Sequence, residues 1–175
     1  MLKDGIDVNA QAEDGYTALI FACRNVHADV ALALLEIKDI KVDLANEMGE
    51  NALYWASSKK MLAVVKKLIE KDADVNKQNI SGNTALILAC YKNHTDVALA
   101  LLEDDDIDVD LKNKDGDTAL VCASENGMTE VVKKLIEKRA DANIQNGFGF
   151  TALTRACLFN HTNVALALLN VDGIE

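Results

Sequence analysis

The sequence predicts an all-α fold, a solenoid of helix–turn–helix repeats joined by short β-hairpin-like loops. The main observation is a phrase that occurs five times, as Thr-Ala-Leu in four copies and as Asn-Ala-Leu in the second, at spacings of 34, 33, 34 and 33 residues. A fixed period of this length is the signature of a stacked repeat array. The composition agrees with packed helices, because 50% of the 175 residues are hydrophobic, only 5% are aromatic and none is proline.

The repeats alternate between two types, so the duplicated unit is a pair of 67 residues. The first, third and fifth copies carry Ala-Cys, a histidine and Val-Ala-Leu-Ala-Leu-Leu, whereas the second and fourth carry Ala-Ser, a methionine and Val-Val-Lys-Lys-Leu-Ile. One repeat cannot bury its own apolar face, so the repeats must stack into a single domain over residues 1–175. The predicted units are a partial repeat at 1–13 and repeats 1 to 5 at 14–47, 48–80, 81–114, 115–147 and 148–175.

Each repeat is predicted to contain two helices followed by a hairpin. Thr17 suits the start of the first helix, because its hydroxyl can accept a backbone N–H of the first turn. A tight turn at Asn25 and Val26 precedes a second helix at roughly residues 29–37. The segment that follows a second helix, such as residues 72–76, alternates polar and apolar side chains and then reaches glycine, which is typical of a short extended hairpin.

The pattern resembles the ankyrin repeat, whose unit reads D-x-x-G-x-T-P-L-H-x-A-A, then an apolar helix and G-A-D-V-N. Residues 115–120 read Asp-Gly-Asp-Thr-Ala-Leu, residues 131–136 read Val-Val-Lys-Lys-Leu-Ile, and residues 140–143 read Ala-Asp-Ala-Asn. The proline of the family phrase is alanine in all five copies, and its histidine is also replaced. The resemblance covers almost the whole chain. It implies a right-handed solenoid and a non-catalytic protein–protein interaction module that binds its partner through the concave face.

The resemblance also implies which residues bind that partner. The concave face of this family consists of the hairpin tips and the exposed side of the first helices. Here those positions differ among the five copies while the framework does not. The candidate partner-binding residues are Tyr16, Arg24, Asn25, Glu50, Lys59, Asn83, Tyr91, Lys92, Asp117, Glu125, Asn126, Phe148, Phe150, Leu158 and Phe159.

The sharpest hypothesis within this set is an apolar cluster in the last repeat. It consists of Phe148, Phe150, Leu158 and Phe159. Aromatic side chains provide a large contact area with little rotamer freedom to lose, which is typical of interface anchors. The alternative is that a following repeat covers part of this cluster, or that Phe148 and Phe159 pack on their own loop.

Other conspicuous side chains are assigned to packing. Free cysteine behaves as a small hydrophobe, and a cysteine without a nearby histidine lacks a base to activate it. Cys122 lies at a more variable position and is predicted to be partly exposed. The side chains predicted to pack are Phe21, Trp55, Cys23, Cys90 and Cys157.

The three histidines are too far apart to share a metal ion. His27, His94 and His161 follow one another at intervals of 67 residues, or two repeats. At the usual distance between packed helices this is roughly 20 Å, so a structural role is expected. The acidic run at 103–110 lacks the central glycine and terminal glutamate of a calcium-binding loop. We therefore expect no catalytic, cofactor-binding or metal-binding residue, no cofactor and no enzymatic activity.

Charge and cysteine content restrict the partner and the compartment. The formal net charge of −10 disfavours nucleic acid and anionic membranes, since both attract clustered Lys and Arg. It favours a protein partner with a basic surface. The four cysteines show no CxxC spacing, which indicates a reducing, cytoplasmic setting. A monomer is expected, and the apolar C-terminal repeat allows self-association.

A second interpretation of function remains open, namely an engineered or duplicated repeat scaffold with no dedicated biological ligand. The near-identity of alternate repeats favours the scaffold. Irregular substitutions favour the natural binding module, because a designer would idealise positions such as Val26, Met48 and Asn51.

Overall fold

The structure is a computed structural model that describes residues 5–170, which fold into ten α-helices in five pairs. Between residues 5 and 170 there is no strand, and one isolated β-bridge joins Ala45 to Asn51. The predicted all-α repeat architecture is thus confirmed. The ends of the predicted units, at 1–4 and 171–175, lie outside the described residues. In chain order the helices are α1 (Ala18–Arg24), α2 (Ala28–Leu35), α3 (Ala52–Ser58), α4 (Leu62–Ile69), α5 (Ala85–Tyr91), α6 (Thr95–Leu101), α7 (Ala119–Glu125), α8 (Thr129–Glu137), α9 (Ala152–Leu158) and α10 (Thr162–Leu169).

The first helix of each repeat begins at a polar cap, as the sequence predicts. The Thr17 hydroxyl accepts the backbone N–H of Ile20 at 3.2 Å. Asn51 replaces threonine in the second repeat, and its Oδ1 accepts the N–H of Tyr54 at 2.9 Å. The same bond caps α5, α7 and α9. Each cap satisfies a backbone donor that the helix itself cannot, which is worth about 1 kcal/mol.

The turn between the two helices places one residue in the left-handed region of backbone space. The φ angle is 62° at Val26, 57° at Lys60 and 67° at Gly127, with Asn93 and Asn160 at the corresponding positions of the other repeats. Only Val26 is β-branched, and for such a residue this conformation costs about 1–2 kcal/mol. The turn predicted at Asn25 and Val26 is confirmed, and the structure adds that valine is strained in it.

The second helix α2 is shorter than predicted, since it spans Ala28–Leu35 rather than residues 29–37. The N–H of Ile37 bonds to the carbonyl of Leu34 at 3.1 Å, three residues back. This tighter turn ends the helix and leads the chain towards the hairpin.

The helices form two layers that share one core. The first helices of neighbouring repeats pack on one another from α1 to α9, and the second helices pack from α2 to α10. Large side chains that face the next repeat are fully buried, among them Leu19, Leu53, Leu86 and Leu120. Stability therefore comes from interfaces between neighbouring repeats.

Two predictions about cysteine burial are wrong. Cys157 was expected to be buried like Cys23 and Cys90, but it is exposed. Within the described residues, α9 packs on α7 and α10 and on no helix beyond them. Cys122 was expected to be partly exposed, but it is buried. Its side chain is smaller than the Phe21 and Trp55 at the same helical position, so neighbouring groups cover it.

The hairpins are turns held by asparagine side chains rather than the extended hairpins that the sequence predicts. In the second repeat, Asn46 Oδ1 accepts the backbone N–H groups of Met48 and Glu50 at 3.0 and 2.9 Å. Asn79, Asn113 and Asn146 repeat this pattern. These side-chain bonds replace a strand ladder, which explains why only one β-bridge forms among the described residues.

Adjacent hairpin tips also bond to one another along the array. The N–H of Gly147 donates to the carbonyl of Asp115 at 2.7 Å, and equivalent bonds join the other tips. Gly116 lies at this contact with φ of 78°, and a Cβ there would be 2.7 Å from the nitrogen of Gly147. The close approach fixes the spacing of the tips, and so positions the surface residues described next.

Candidate functional site

The candidate site is the surface formed by the hairpin tips and the exposed side of the first helices, called here the first-helix face. None of the fifteen candidate residues is buried. Those that are exposed are Arg24, Asn25, Lys59, Tyr91, Lys92, Phe148, Leu158 and Phe159. Those that are half-buried are Tyr16, Glu50, Asn83, Asp117, Glu125, Asn126 and Phe150.

Several polar candidates form hydrogen bonds with neighbouring repeats of the array. Asp117 Oδ1 accepts the Asn146 amide at 2.7 Å, and Asn83 Oδ1 accepts the Asn113 amide at 3.1 Å. These bonds join neighbouring hairpins. Asn126 donates to the carbonyl of Cys90 at 3.0 Å, which ties the fourth repeat to the third. These side chains therefore contribute to the framework as well as to the surface.

The cationic candidates of the first three repeats differ from these polar residues. Within the described residues, the side chains of Arg24, Lys59 and Lys92 form no hydrogen bond and no ion pair. Arg24 and Lys59 instead lie over aromatic rings. Their charged groups are thus available to a partner.

These contacts define an aromatic–cation patch, formed by Tyr16, Phe21, Arg24, Trp55 and Lys59. The rings of Tyr16 and Phe21 stack with centroids 4.9 Å apart. The Arg24 Cζ lies 5.0 Å from the Tyr16 centroid and 5.5 Å from that of Trp55. Lys59 Nζ lies 5.8 Å from the Trp55 centroid on the same repeat. Cation–π attraction holds both charges at the surface.

The patch corrects the prediction that Phe21 and Trp55 are packing residues only. Phe21 is 39% exposed, and half-buried Trp55 packs on the core while its ring also receives the two cations. A signal was present in the sequence. Their position in the first helix reads Phe, Trp, Leu, Cys and Arg in the five repeats, so it varies as much as the candidate positions do.

Tyr54 borders the patch on the second repeat. Its ring meets that of Trp55 edge to face, with centroids 5.5 Å apart. Burial raises the pKa of Tyr54 to about 12, and the neighbouring Glu50 carboxylate contributes to the rise. The phenol is therefore neutral at physiological pH and acts as a hydrogen-bond donor towards Glu50.

At the other end of the face the predicted apolar cluster is divided. Phe150 is half-buried beneath Arg155, whose Cζ lies 4.4 Å from the ring centroid. Arg155 Nε also lies 3.4 Å from Glu125 Oε2. Phe148, Leu158 and Phe159 are exposed, and no ring contact joins the phenylalanines of this cluster among the described residues. Arg155 of the same repeat thus covers Phe150, whereas Phe148 and Phe159 are exposed and not packed on their own loop.

The buried thiols and the histidines are structural in their surroundings. Burial raises the pKa of Cys23 and of Cys122 to about 12, so neither supplies a thiolate nucleophile. A ring nitrogen of His94 bonds to the carbonyl of Ser57 at 2.9 Å, and one of His161 bonds to that of Glu125 at 2.9 Å. Each bond joins a repeat to the one before it.

Two further findings concern the described residues as a whole. Between residues 5 and 170, no group of three His, Cys, Asp or Glu side chains is placed to hold a metal ion. In the same range, no helix is both long and apolar enough to cross a membrane.

Comparison with known proteins identifies relatives of the chain. A family model described as ankyrin repeats (3 copies) matches residues 1–79 and 105–175, and one described as ankyrin repeats (many copies) matches residues 68–121. A solved structure of an ankyrin repeat protein, EF0377, is 30% identical, with a TM-score of 0.83 over 95% of this chain and 86% of that one.

Curated relatives are longer proteins. A putative ankyrin repeat protein, L371, of Acanthamoeba polyphaga mimivirus is 27% identical over 93% of the chain. Ankyrin repeat protein OPG189 of variola virus is 24% identical over 99% of the chain. A probable E3 ubiquitin-protein ligase of rice, XBOS33, is 39% identical over 48% of the chain. The matches span 21%, 30% and 16% of these relatives, respectively.

Proposed function

The chain belongs to the ankyrin repeat family, and from this premise we propose that it is a non-catalytic module that binds a protein partner on its first-helix face. Ankyrin repeat proteins mediate protein–protein interaction, and their fold is generally not enzymatic. The observation that carries the proposal is the aromatic–cation patch. It combines one exposed ring and two half-buried rings with charges that make no ion pair among the described residues.

Exposed aromatic side chains support this choice of surface. Along the first helices, exposed aromatic side chains occur at Phe21, Tyr91 and Phe159. Such side chains dominate binding energy when a partner covers them. Framework positions beneath them are nearly invariant among the repeats, so the exposed positions can change without loss of the fold.

The distribution of acidic side chains supports a partner that also carries a basic surface. The first two hairpins expose Glu13, Asp14 and Glu47 close to the first-helix face. Together with the net charge of −10, they would steer a basic region towards the tips. We propose that the module acts as a monomer in a reducing cytoplasmic compartment, where its four free cysteines remain reduced.

The alternative is a scaffold with no dedicated ligand. The observation that favours it is the 67-residue duplication, in which alternate repeats share more than half of their residues. Under this alternative, the exposed rings of the first-helix face have no partner to cover them.

Affinity capture from a cell lysate, with three immobilised chains, distinguishes the two. The first is the wild type, and the second carries Phe21→Ala, Tyr91→Ala and Phe159→Ala. The third is a matched control with Lys66→Ala, Lys133→Ala and Leu166→Ala, which removes exposed side chains from the second helices. We expect one protein, identified by mass spectrometry, to be retained by the wild type and the control and lost from the second chain. Equal retention by all three would place the binding site away from the first-helix face, and retention by none would support the scaffold.

A further inference from the structure

We propose that the aromatic–cation patch binds a protein segment that carries carboxylate side chains next to an apolar residue. This inference rests on the proposed function and adds the chemistry of the partner at one place on the first-helix face. The net charge of −10 suggests a basic partner, whereas the segment proposed to contact the patch is acidic. Long-range steering depends on the whole charge, whereas contact depends on the groups within a few ångströms.

The two cations of the patch contact aromatic rings but no carboxylate among the described residues. Arg24 and Lys59 lie against the rings of Tyr16 and Trp55 and form no ion pair among the described residues. The rings fix the position of each charge but do not satisfy its N–H donors. A guanidinium on an aromatic face presents a planar fork of donors, which matches a carboxylate in two parallel hydrogen bonds. The site is thus already ordered for such a ligand.

The same chain contains a related arrangement in which the cation on the ring is ion-paired, although its Nε makes no hydrogen bond among the described residues. In the last two repeats Arg155 lies on the Phe150 ring at 4.4 Å, and Glu125 supplies a carboxylate oxygen 3.4 Å from its Nε. Arg24 lies three positions further along its own first helix than Arg155 does, and it has a similar ring contact with Tyr16 but no such carboxylate among the described residues. The missing component of the patch is therefore the group that Glu125 provides elsewhere.

The surroundings of the patch favour a peptide over a polyanion. Glu47 and Glu50 lie on the second hairpin, next to the patch, and would repel a chain of phosphates. A segment with one or two carboxylates can reach the cations and avoid these acids. The exposed part of Phe21 provides contact area for an apolar neighbour in the same segment.

A random peptide library displayed on phage tests this chemistry and does not require the natural partner to be identified. Selection is carried out on the wild type, on Arg24→Gln/Lys59→Gln, and on the matched control Lys66→Gln/Lys133→Gln, which loses the same charge from the second helices. Peptides from the wild type and the control should be enriched in Asp and Glu. A synthetic peptide from this pool should bind Arg24→Gln/Lys59→Gln about tenfold or more weakly.

The location of binding is measured with the same peptide. Trp55 is the single tryptophan of the chain, so its fluorescence reports on the patch directly. We expect the acidic peptide to change this fluorescence, and its Glu→Gln form to bind weakly. Thermal unfolding of each variant checks that the exposed substitutions leave the fold intact.

Failure of the inference is distinct from failure of the proposed function. Selected peptides without excess acid, or with equal affinity for Arg24→Gln/Lys59→Gln, overturn the inference. If those peptides lose affinity for a Tyr91→Ala/Phe159→Ala variant, the first-helix face still binds protein and the proposed function stands. If no peptide is selected, or none responds to either variant, both are rejected.

Discussion

The two ends of the first-helix face use the same components in different states. In repeats 1 and 2, Arg24 lies on the rings of Tyr16 and Trp55 with no ion pair among the described residues. In repeats 4 and 5, Arg155 lies on Phe150 and is neutralised by Glu125. We call the first the open end, because Arg24 can bind a carboxylate of a partner. We call the second the closed end, because Arg155 already pairs with the Glu125 carboxylate of the same chain. The difference shows that a nearly invariant framework can present distinct chemistry through a few variable positions.

The largest expected effect is a loss of stability when a leucine is truncated, and it should differ between the two ends of the array. Leu19→Ala should lower the free energy of unfolding by about 3 kcal/mol, because the side chain is 1% exposed and packs between repeats. Leu153→Ala, at the same position of repeat 5, should cost about half as much or less, because its side chain is only half-buried. Urea unfolding measures both. Equal losses would mean that the ends are packed alike.

Two substitutions in the turn between the helices, one in repeat 4 and one in repeat 1, extend the comparison. Gly127→Val should destabilise the chain by about 2 kcal/mol, since a Cβ would lie 2.6 Å from His161 Nδ1 in a backbone conformation with φ of 67°. Val26→Asn should stabilise it by about 1 kcal/mol, because asparagine tolerates the left-handed conformation that valine resists. Thermal unfolding tests the signs, and a loss of stability in Val26→Asn would refute the strain at that turn.

Opening the closed end is the next test. Glu125→Gln leaves the charge of Arg155 without its partner and should cost about 1 kcal/mol, as the Arg155 side chain is only 17% exposed. The variant should gain affinity for the acidic peptide that binds the patch. Fluorescence anisotropy of the labelled peptide measures this gain. Unchanged binding would show that Arg155 and Arg24 are not equivalent sites.

The smallest effect is a pH dependence that Tyr54 contributes at the open end. The pKa of Tyr54 is raised from 10.0 to about 12, so folding favours the neutral phenol. Its contribution to stability is present below pH 10 and is lost as pH rises through 12. The wild type should lose stability more steeply than Tyr54→Phe between these values. Parallel thermal unfolding curves for the two proteins across that range would contradict the assignment.

The sequence predicts those features that depend on residue type and period. The cap at Thr17 and the turn at Asn25 and Val26 follow from local pattern, and the structure confirms them. Burial of Cys157 and Cys122 was predicted wrongly, because it depends on which neighbour covers each position.

The candidate site was predictable as a surface but not as an arrangement. The candidate residues were chosen by variation among repeats, and none of them is in the core. The patch depends on how far Arg24 reaches across its helix to Tyr16 and over to Trp55. These contacts depend on the side-chain conformation in the packed array, which cannot be deduced from the spacing of residues along the chain.

The central claim, that the first-helix face binds a protein partner, is tested most directly by NMR of the labelled chain with the captured partner. Backbone amide signals of α1 and α3 and the single indole N–H signal, from Trp55, should shift or broaden on addition. Signals from α4 and α8 in the second-helix layer should change little. Changes confined to the second helices, with the Trp55 signal unmoved, would contradict the account.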